Sequence, residues 1–143
     1  MRRRIGLITL LVRDYDEAIA FYVQKLGFTL REDTPLSAEK RWVVVSPADA
    51  AGTAILLARA AAPRQQAMIG DQTGGRVFFF LETDDCRRDF AALSDKGVHF
   101  LERPRVEPYG VVAVFQDLYG NRWDLIQENA PTVRQPPAIP PPR

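Results

Sequence analysis

Histidine and cysteine are almost absent from the sequence, and long apolar runs are missing altogether. The single cysteine, Cys86, cannot form an intrachain disulfide, and we interpret it as a small buried apolar residue of a cytoplasmic protein. Three arginines followed by the apolar run 5–12 imitate a signal peptide, but the run has eight residues and no small-residue cleavage site follows it. No segment approaches the roughly 18 apolar residues of a membrane-spanning helix. We therefore expect neither a signal peptide nor a membrane partner.

An excess of charge of either sign is missing too. The 143 residues include 19 Lys and Arg and 18 Asp and Glu, which gives a net charge of +1. Binding to nucleic acid would need a strong basic stripe, so we expect no nucleic-acid partner. The sequence also lacks a P-loop, a G-x-S-x-G motif, a dinucleotide fingerprint and a CxxC pair. The common sequence signals of nucleotide binding, serine hydrolysis and dithiol chemistry are therefore absent.

What the chain does contain is a strand, a helix and three shorter strands in its first 59 residues. Residues 5–12 are apolar and rich in β-branched side chains, which indicates a strand. Asp14 and Glu17 have the spacing of a capping box, and the apolar residues that follow have helical spacing up to Gly27, which can end a helix. Turn residues then separate three strand patterns, at about 28–32, 41–46 and 53–59.

The same pattern recurs about 70 residues later. It comprises a strand at Arg76–Glu82, a helix from Asp84 to Gly97, and strands at about 98–102, 111–116 and 122–127. In each predicted helix the Gly follows the Asp by 13 positions. We therefore predict an α+β chain of two βαβββ modules, with a candidate site at their junction. The predicted divisions are 1–70 for the first module with its connecting loop, 71–128 for the second module, and 129–143 for a proline-rich tail.

The tail differs in composition from the rest of the chain. Six of the eleven prolines lie between residues 131 and 143. Such a segment favours polyproline II and cannot build a core. Its role stays open: it could pack on its own domain or a partner subunit, or be recognised by another protein's aromatic groove.

Two segments resemble a known family. ITLLVRDYDEAIAFYVQKLGF and YGVVAVFQDLYGNRWDLIQ are similar to sequences of the vicinal oxygen chelate superfamily, which contains glyoxalase I, bleomycin- and fosfomycin-resistance proteins and extradiol dioxygenases. The resemblance covers residues 5–128. It implies two βαβββ modules whose curled mixed sheets enclose one cavity, either within a chain or across a dimer.

The resemblance also implies where a metal would be held in metal-dependent members. Two positions that are typically His correspond here to Leu7 and Arg76, and a typical Glu in the last strand corresponds to Asp124. Leu7 cannot coordinate an ion, Arg76 carries a cation of its own, and the only histidine, His99, lies in another strand. Magnesium or manganese could use carboxylates such as Glu82, but an Asp beside an Arg is a poor site for a hard cation. We expect no divalent metal cofactor.

Strand alternation predicts which side chains line the cavity. Trp123, Leu125, Val77, Phe79 and Leu81 are expected on the core side of their strands. The expected ligand-binding residues are Leu7, Thr9, Leu11, Arg76, Phe78, Phe80, Asp124 and Ile126. Trp42 could either line the cavity or anchor the core. A lining of apolar and aromatic groups with a few polar ones is typical of a pocket for an organic ligand.

Two functions are compatible with these patterns. The first is a metal-free protein that binds a small aromatic or amphipathic molecule in the cavity between the modules, as the bleomycin-resistance proteins do. The alternative is a lyase, isomerase or dioxygenase-type enzyme that uses Asp124 or Glu82 for acid–base catalysis. A structural or interaction module is a third reading, supported only by the tail.

Two further expectations concern charge and assembly. Arg76 and Asp124 occupy ligand positions of one ion in metal-binding relatives, so we expect them to form an ion pair that depresses the pKa of Asp124. We also expect a homodimer, because curled sheets leave strand edges that need covering.

Overall fold

The structure is a computed structural model that describes residues 2–47 and 52–130. The predicted proline-rich segment from residue 131 onwards lies outside the described residues. Within them, no helix is long and apolar enough to cross a membrane.

The first module has the predicted order of elements. β1 (Leu7–Val12) is followed by helix α1 (Tyr15–Ile19), which continues as a π-helical segment over Ala20–Lys25. Three strands complete the module: β2 (Thr29–Pro35), β3 (Arg41–Ser46) and β4 (Ala54–Arg59). A short helix with no counterpart among the predicted elements, α2 (Pro63–Ala67), begins the connection to the second module, with its proline in the first helical turn.

The second module repeats this order and this strand arrangement. It consists of β5 (Val77–Glu82), α3 (Cys86–Asp95), β6 (His99–Glu107), β7 (Gly110–Gln116) and β8 (Arg122–Glu128). The two sheets have the orders β1-β4-β3-β2 and β5-β8-β7-β6. In each sheet the first and last strands of the module pair in parallel and the other pairs are antiparallel. The predicted α+β fold of two βαβββ modules is confirmed.

The helix boundaries follow local capping signals. The Asp14 carboxylate accepts a hydrogen bond from the Glu17 backbone N–H at 2.9 Å, as the capping-box spacing predicts. Gly27 ends the helical region with a φ of 74°, in the left-handed conformation that favours glycine. In the second module the predicted cap, Asp84, is wrong by one residue. Asp85 is the N-cap, because its carboxylate accepts from the backbone N–H of Arg88 at 3.0 Å.

The two modules share one hydrophobic core. Leu10 and Val12 of β1 are fully buried, and Trp123 and Leu125 of β8 are almost fully buried, as their alternation predicts. Aromatic rings join the modules at this point: the Trp123 ring centroid lies 5.9 Å from both Tyr22 and Phe28. Burying each large apolar side chain contributes about 1.5–3 kcal/mol. The core therefore lies on the faces of the two sheets that the helices cover, here called the inner faces, and the opposite faces of the sheets point outward.

A buried polar network reinforces this junction. The Tyr22 hydroxyl donates to the Asp117 carboxylate at 2.6 Å. The same carboxylate accepts from the backbone N–H groups of Tyr119 and Asn121, each at 2.9 Å, and from the Asn121 side-chain amide at 2.8 Å. Burial and the neighbouring charge of Asp117 raise the pKa of Tyr22 well above its ordinary value, so the hydroxyl keeps its proton. A buried carboxylate with four donors needs no cation.

Candidate functional site

The outer face of the first sheet forms a trough of about 490 Å³. Its floor comes from β1 and β4, because Thr9 lies beside Leu56 and Leu11 beside Ala58 in the parallel register. Trp42 of β3 also lines it, which settles whether this residue faces the core or a cavity. The Trp42 ring is half-buried and stacks on no other aromatic ring in the described part of the chain.

Arg41 organises the polar end of the trough. Its guanidinium contacts Asp33 at 2.6 Å and Asp16 at 2.9 Å, and it lies 5.2 Å from the centroid of the Tyr15 ring. The hydrogen bond from Arg41 lowers the pKa of Asp33, so the pair stays ionised. The Tyr15 hydroxyl accepts from the Arg41 backbone N–H at 3.2 Å. Because two carboxylates bind the Arg41 guanidinium, this side chain has a fixed position and forms a rigid wall of the trough.

Other charges on the trough's rim are exposed. The rim includes Glu39, Lys40 and Arg59, none of which forms an ion pair within residues 2–47 and 52–130. The lining thus combines an apolar floor, one available indole ring and a polar rim. That combination, at this volume, suits a small organic molecule. Sequence reasoning missed Tyr15, Leu56 and Ala58, although alternation along 54–59 could have placed the latter two.

The outer face of the second sheet carries the other predicted site residues. Phe80 lies opposite Asp124, and Glu82 opposite Ile126, in the β5–β8 register. Phe80 is 64% exposed, so this face is open to solvent in a single chain. Asp124 also lies beside Val114 of β7. Phe80, Asp124 and Ile126 therefore share one face, as alternation predicts.

Asp124 has no hydrogen-bond or ion-pair partner in the described part of the chain. Burial raises the pKa of its carboxyl group above the ordinary value; the Arg105 charge opposes this rise and the Glu102 charge adds to it. Arg105 is itself engaged by Glu102 and by Glu107, the latter at 2.8 Å.

The predicted ion pair of Arg76 with Asp124 is wrong, and so is the expected depression of the Asp124 pKa. Arg76 precedes β5, and no hydrogen bond or ion pair joins it to Asp124. The register explains this, because Phe80 lies opposite Asp124, and the shift beside Phe79 puts Val77 opposite Arg122, on the face where Arg76 was expected. The charges that act on Asp124 come instead from β6.

Phe78 is also placed differently from the prediction. A register shift between Val77 and Phe79 puts Val77 opposite Arg122, on the face where Phe78 was expected. Phe78 instead stacks on Phe79, with ring centroids 4.1 Å apart, and packs against the core. An irregularity of one residue reverses the faces that simple alternation assigns.

In a single chain the predicted site residues do not share one cavity. Thr9 and Leu11 line the trough, whereas Phe80, Asp124 and Ile126 lie on the second sheet. Leu7, at the start of β1, is 38% exposed and is not part of the trough lining. A cavity of about 460 Å³ does lie between the modules, but its walls are inner-face residues such as Ile8, Ile55 and Trp123. Of the predicted ligand-binding residues only Phe80 reaches it.

The donor atoms at the metal positions do not fit a divalent ion of the kind the resemblance implies. Leu7 has no donor atom, and Arg76 brings a cation. Asp124 remains as one carboxylate whose charged neighbours are Arg105 and Glu102. The described residues contain no group of three His, Cys, Asp or Glu side chains that could hold an ion.

Comparison with known proteins places these features in a family. The model of the Glyoxalase/Bleomycin resistance protein/Dioxygenase superfamily matches residues 4–125. An uncharacterised protein of Shewanella frigidimarina is 55% identical over 130 residues, which are 90% of this chain and 96% of that protein.

Two solved structures are similar both in sequence and in fold. UcmS2 is 32% identical, with a TM-score of 0.77, over 88% of this chain and 98% of that one. TnmS3, described as an antibiotic binding protein from Streptomyces sp. CB03234, is 31% identical, with a TM-score of 0.73, over 90% of this chain and 98% of that one.

Proposed function

The chain belongs to the glyoxalase/bleomycin resistance protein/dioxygenase superfamily, and we propose that it is a metal-free member that binds a small aromatic or amphipathic organic molecule without transforming it. The observation that carries the proposal is the trough of the first module, with the unstacked indole of Trp42 on an apolar floor. The similarity to TnmS3, an antibiotic binding protein, supports the same class of function.

The chemistry of the trough supports an aromatic ligand. Leu11, Leu56 and Ala58 offer an apolar floor, and burying their exposed area against a ligand is favourable at about 25 cal/mol per Å². A ring stacked on Trp42 would add about 0.5–1.5 kcal/mol. The exposed rim charges can contact polar substituents of an amphipathic molecule. The donor set at Leu7, Arg76 and Asp124 supports the metal-free part of the proposal.

We propose further that the protein is a homodimer and that the outer face of the second module covers the trough of a second copy. In a single chain the trough and the Phe80–Asp124 face are both open to solvent. Strand alternation predicts that residues of both faces line one ligand-binding cavity. A partner subunit would bring them together without any change within the chain.

An enzyme is the second candidate, favoured by one observation. The carboxyl group of Asp124 is half-buried and unpaired in the described part of the chain, and burial raises its pKa toward the range in which a carboxyl group can transfer protons. Glu82, on the same face, is exposed. A lyase or isomerase of this family would use Asp124 as the acid–base group.

A ligand screen with matched variants tests the proposal. Planar aromatic compounds of one to four fused rings are screened by thermal shift, and we expect at least one to stabilise the fold; at about 100 times its Kd, a ligand adds about 2.7 kcal/mol. Trp42→Leu should remove most of that stabilisation because the stacking surface is lost. Tyr109→Leu, an exposed aromatic in the β6–β7 turn, is the control and should leave it unchanged.

The same samples separate binding from catalysis. Mass spectrometry of the ligand after prolonged incubation should return the unaltered compound. A product that forms with the unaltered chain and is lost in Asp124→Asn would favour the enzyme instead. If no compound stabilises the chain, or if Trp42→Leu binds as well as the unaltered chain, the trough is not the binding site.

A further inference from the structure

The connecting segment between the modules meets β1 at its open edge. Among the described residues, β1 is the outermost strand of its sheet and pairs only with β4. Gly6 and Val12 direct their carbonyl groups to the β4 side, where they accept from Ala54 and Ala60. Backbone groups alternate between the two edges of a strand, so the odd-numbered residues direct theirs to the open edge.

Two of those odd-numbered residues, Thr9 and Leu11, line the trough. Thr9 and Leu11 have their side chains on the trough face and their backbone N–H and C=O groups on the edge without a neighbouring strand. Backbone groups that lack partners make an edge strand free to shift or to pair with another chain. The floor of the trough would therefore be its least restrained part if nothing covered this edge.

The side chain of Gln72 covers it. Its Oε1 accepts from the Leu11 backbone N–H at 2.6 Å, and its Nε2 donates to the Thr9 carbonyl at 3.3 Å. The side-chain amide thus supplies one acceptor and one donor to β1, as the backbone of a neighbouring strand would do. Gln72 is half-buried, as expected of a side chain lying against a sheet.

The segment that carries Gln72 is itself held against the second module. A side chain at Gly70 would place its Cβ 2.1 Å from the Tyr119 carbonyl oxygen, so only glycine fits there, and its φ of 77° also favours glycine. After Gln72, the Thr73 hydroxyl donates to the Arg76 carbonyl at 2.6 Å. The amide of Gln72 is therefore presented by a defined turn.

We propose that Gln72 is a positioning residue of the trough: its side-chain amide substitutes for a neighbouring strand on the open edge of β1 and holds Thr9 and Leu11 in place. The shape of the trough then depends on the connecting segment and, through Gly70 and Tyr119, on the second module. Thr9 and Leu11 direct four backbone groups to this edge, and Gln72 pairs with the two that face each other across Leu10, the Thr9 carbonyl and the Leu11 N–H.

Hydrogen exchange in the full chain tests the proposal without a ligand. Gln72→Ala should speed exchange of the Leu11 amide by about five- to tenfold, the equilibrium equivalent of one hydrogen bond. The Leu10 amide, which points toward β4, is the internal control and should keep its protection. Gln66→Ala, an exposed glutamine of the same connecting segment, should leave both amides unchanged.

Gln72→Glu provides a second variant with nearly the same shape. At neutral pH its carboxylate still accepts from the Leu11 N–H but repels the Thr9 carbonyl. Below the ordinary Glu pKa of about 4.3 the protonated group can donate to Thr9 again. The protection factor of the Leu11 amide is calculated from the intrinsic exchange rate at each pH. In Gln72→Glu this factor should recover in acid, and in Gln72→Ala it should stay low.

Two results would overturn the proposal. Leu11 protection could be unchanged in both variants, in which case the amide holds nothing. All β1 amides could instead lose protection together, which would mean that Gln72 supports the fold in general and does not position this edge. Because no ligand is used, either result leaves the proposed binding function to be judged separately.

Discussion

Asp124 is a carboxylate on a largely apolar strand face. Phe80 and Val114 lie beside it on the neighbouring strands, and burial raises the pKa of its carboxyl group. A raised carboxyl pKa means that the folded chain holds the proton more tightly than the unfolded chain does. Its contribution to stability is therefore fully present below the unfolded pKa, about 3.9, and is lost as the pH rises through the folded pKa. At neutral pH the ionised group weakens the fold.

We predict that Asp124→Asn stabilises the protein at pH 7. The gain should be below about 1 kcal/mol, because solvent screens a group that is only partly buried. It should fade as the pH falls below about 3.9, where the carboxyl group is protonated in the folded and unfolded chains alike. Urea unfolding from pH 7 to pH 3.5 measures the difference, with Glu128→Gln on the same strand as control. Destabilisation at pH 7 would mean that Asp124 has a stabilising cation after all.

At the scale of elements, the connecting segment does more than join the modules. It contains α2, a turn in which Gly70 and Gly74 both have positive φ, and Gln72 on the edge of β1. Gly70 abuts the Tyr119 carbonyl of the β7–β8 loop, and the Tyr119 hydroxyl donates to Glu17 of α1 at 2.7 Å. The β7–β8 loop therefore contacts both the first helix and the connecting segment.

Two glycine substitutions separate the cost of backbone strain in the connecting segment from the cost of a steric clash with Tyr119. Gly74→Ala places a side chain at a φ of 65° with no atom within 4 Å, so it should cost only the conformational strain, about 1 kcal/mol. Gly70→Ala adds a clash with the backbone carbonyl of Tyr119 and should cost about 2 kcal/mol more, because overpacking against backbone is not relieved by a rotamer change. The free energy of unfolding in urea gives both values. Equal costs would mean that the connecting segment moves away from Tyr119 easily.

At the scale of the whole molecule, the modules pack through their inner faces and leave the outer ones open. Trp123, Tyr22 and Phe28 occupy the junction. The trough lies on the outer face of the first sheet, and the Phe80–Asp124 face reaches the cavity between the modules only at its Phe80 and Glu82 end. A ligand in the trough of a single chain would be bound on one side only. The proposed second copy would cover both faces at once.

We predict a homodimer at micromolar concentration, measured by sedimentation equilibrium. Phe80→Asp should weaken it at least tenfold, because a charge would be buried in an apolar contact. Leu118→Asp, in the β7–β8 loop, is the control for adding a charge at an exposed apolar position and should leave the assembly unchanged. A monomeric unaltered chain would contradict the prediction and would leave the trough as a one-sided site.

The sequence by itself determined the repeat, the module architecture and most of the core. The cap at Asp14, the stop at Gly27 and the alternation of Trp123 and Leu125 with Asp124 are signals contained within a few residues. Such signals act through backbone conformation and through the period of side-chain orientation, which neighbouring residues set locally. These predictions hold in the structure for that reason.

Only the tertiary structure decided which site residues meet. The register shift beside Phe79 moved Phe78 to the core and Arg76 out of reach of an ion pair with Asp124, and the packing of the modules put Thr9 and Phe80 on the faces of separate sheets. The support of β1 by Gln72 joins residues 61 and 63 positions apart, and no local pattern announces it. Strand register and module packing are set by contacts between residues distant in sequence, so the periodicity of one strand cannot specify them.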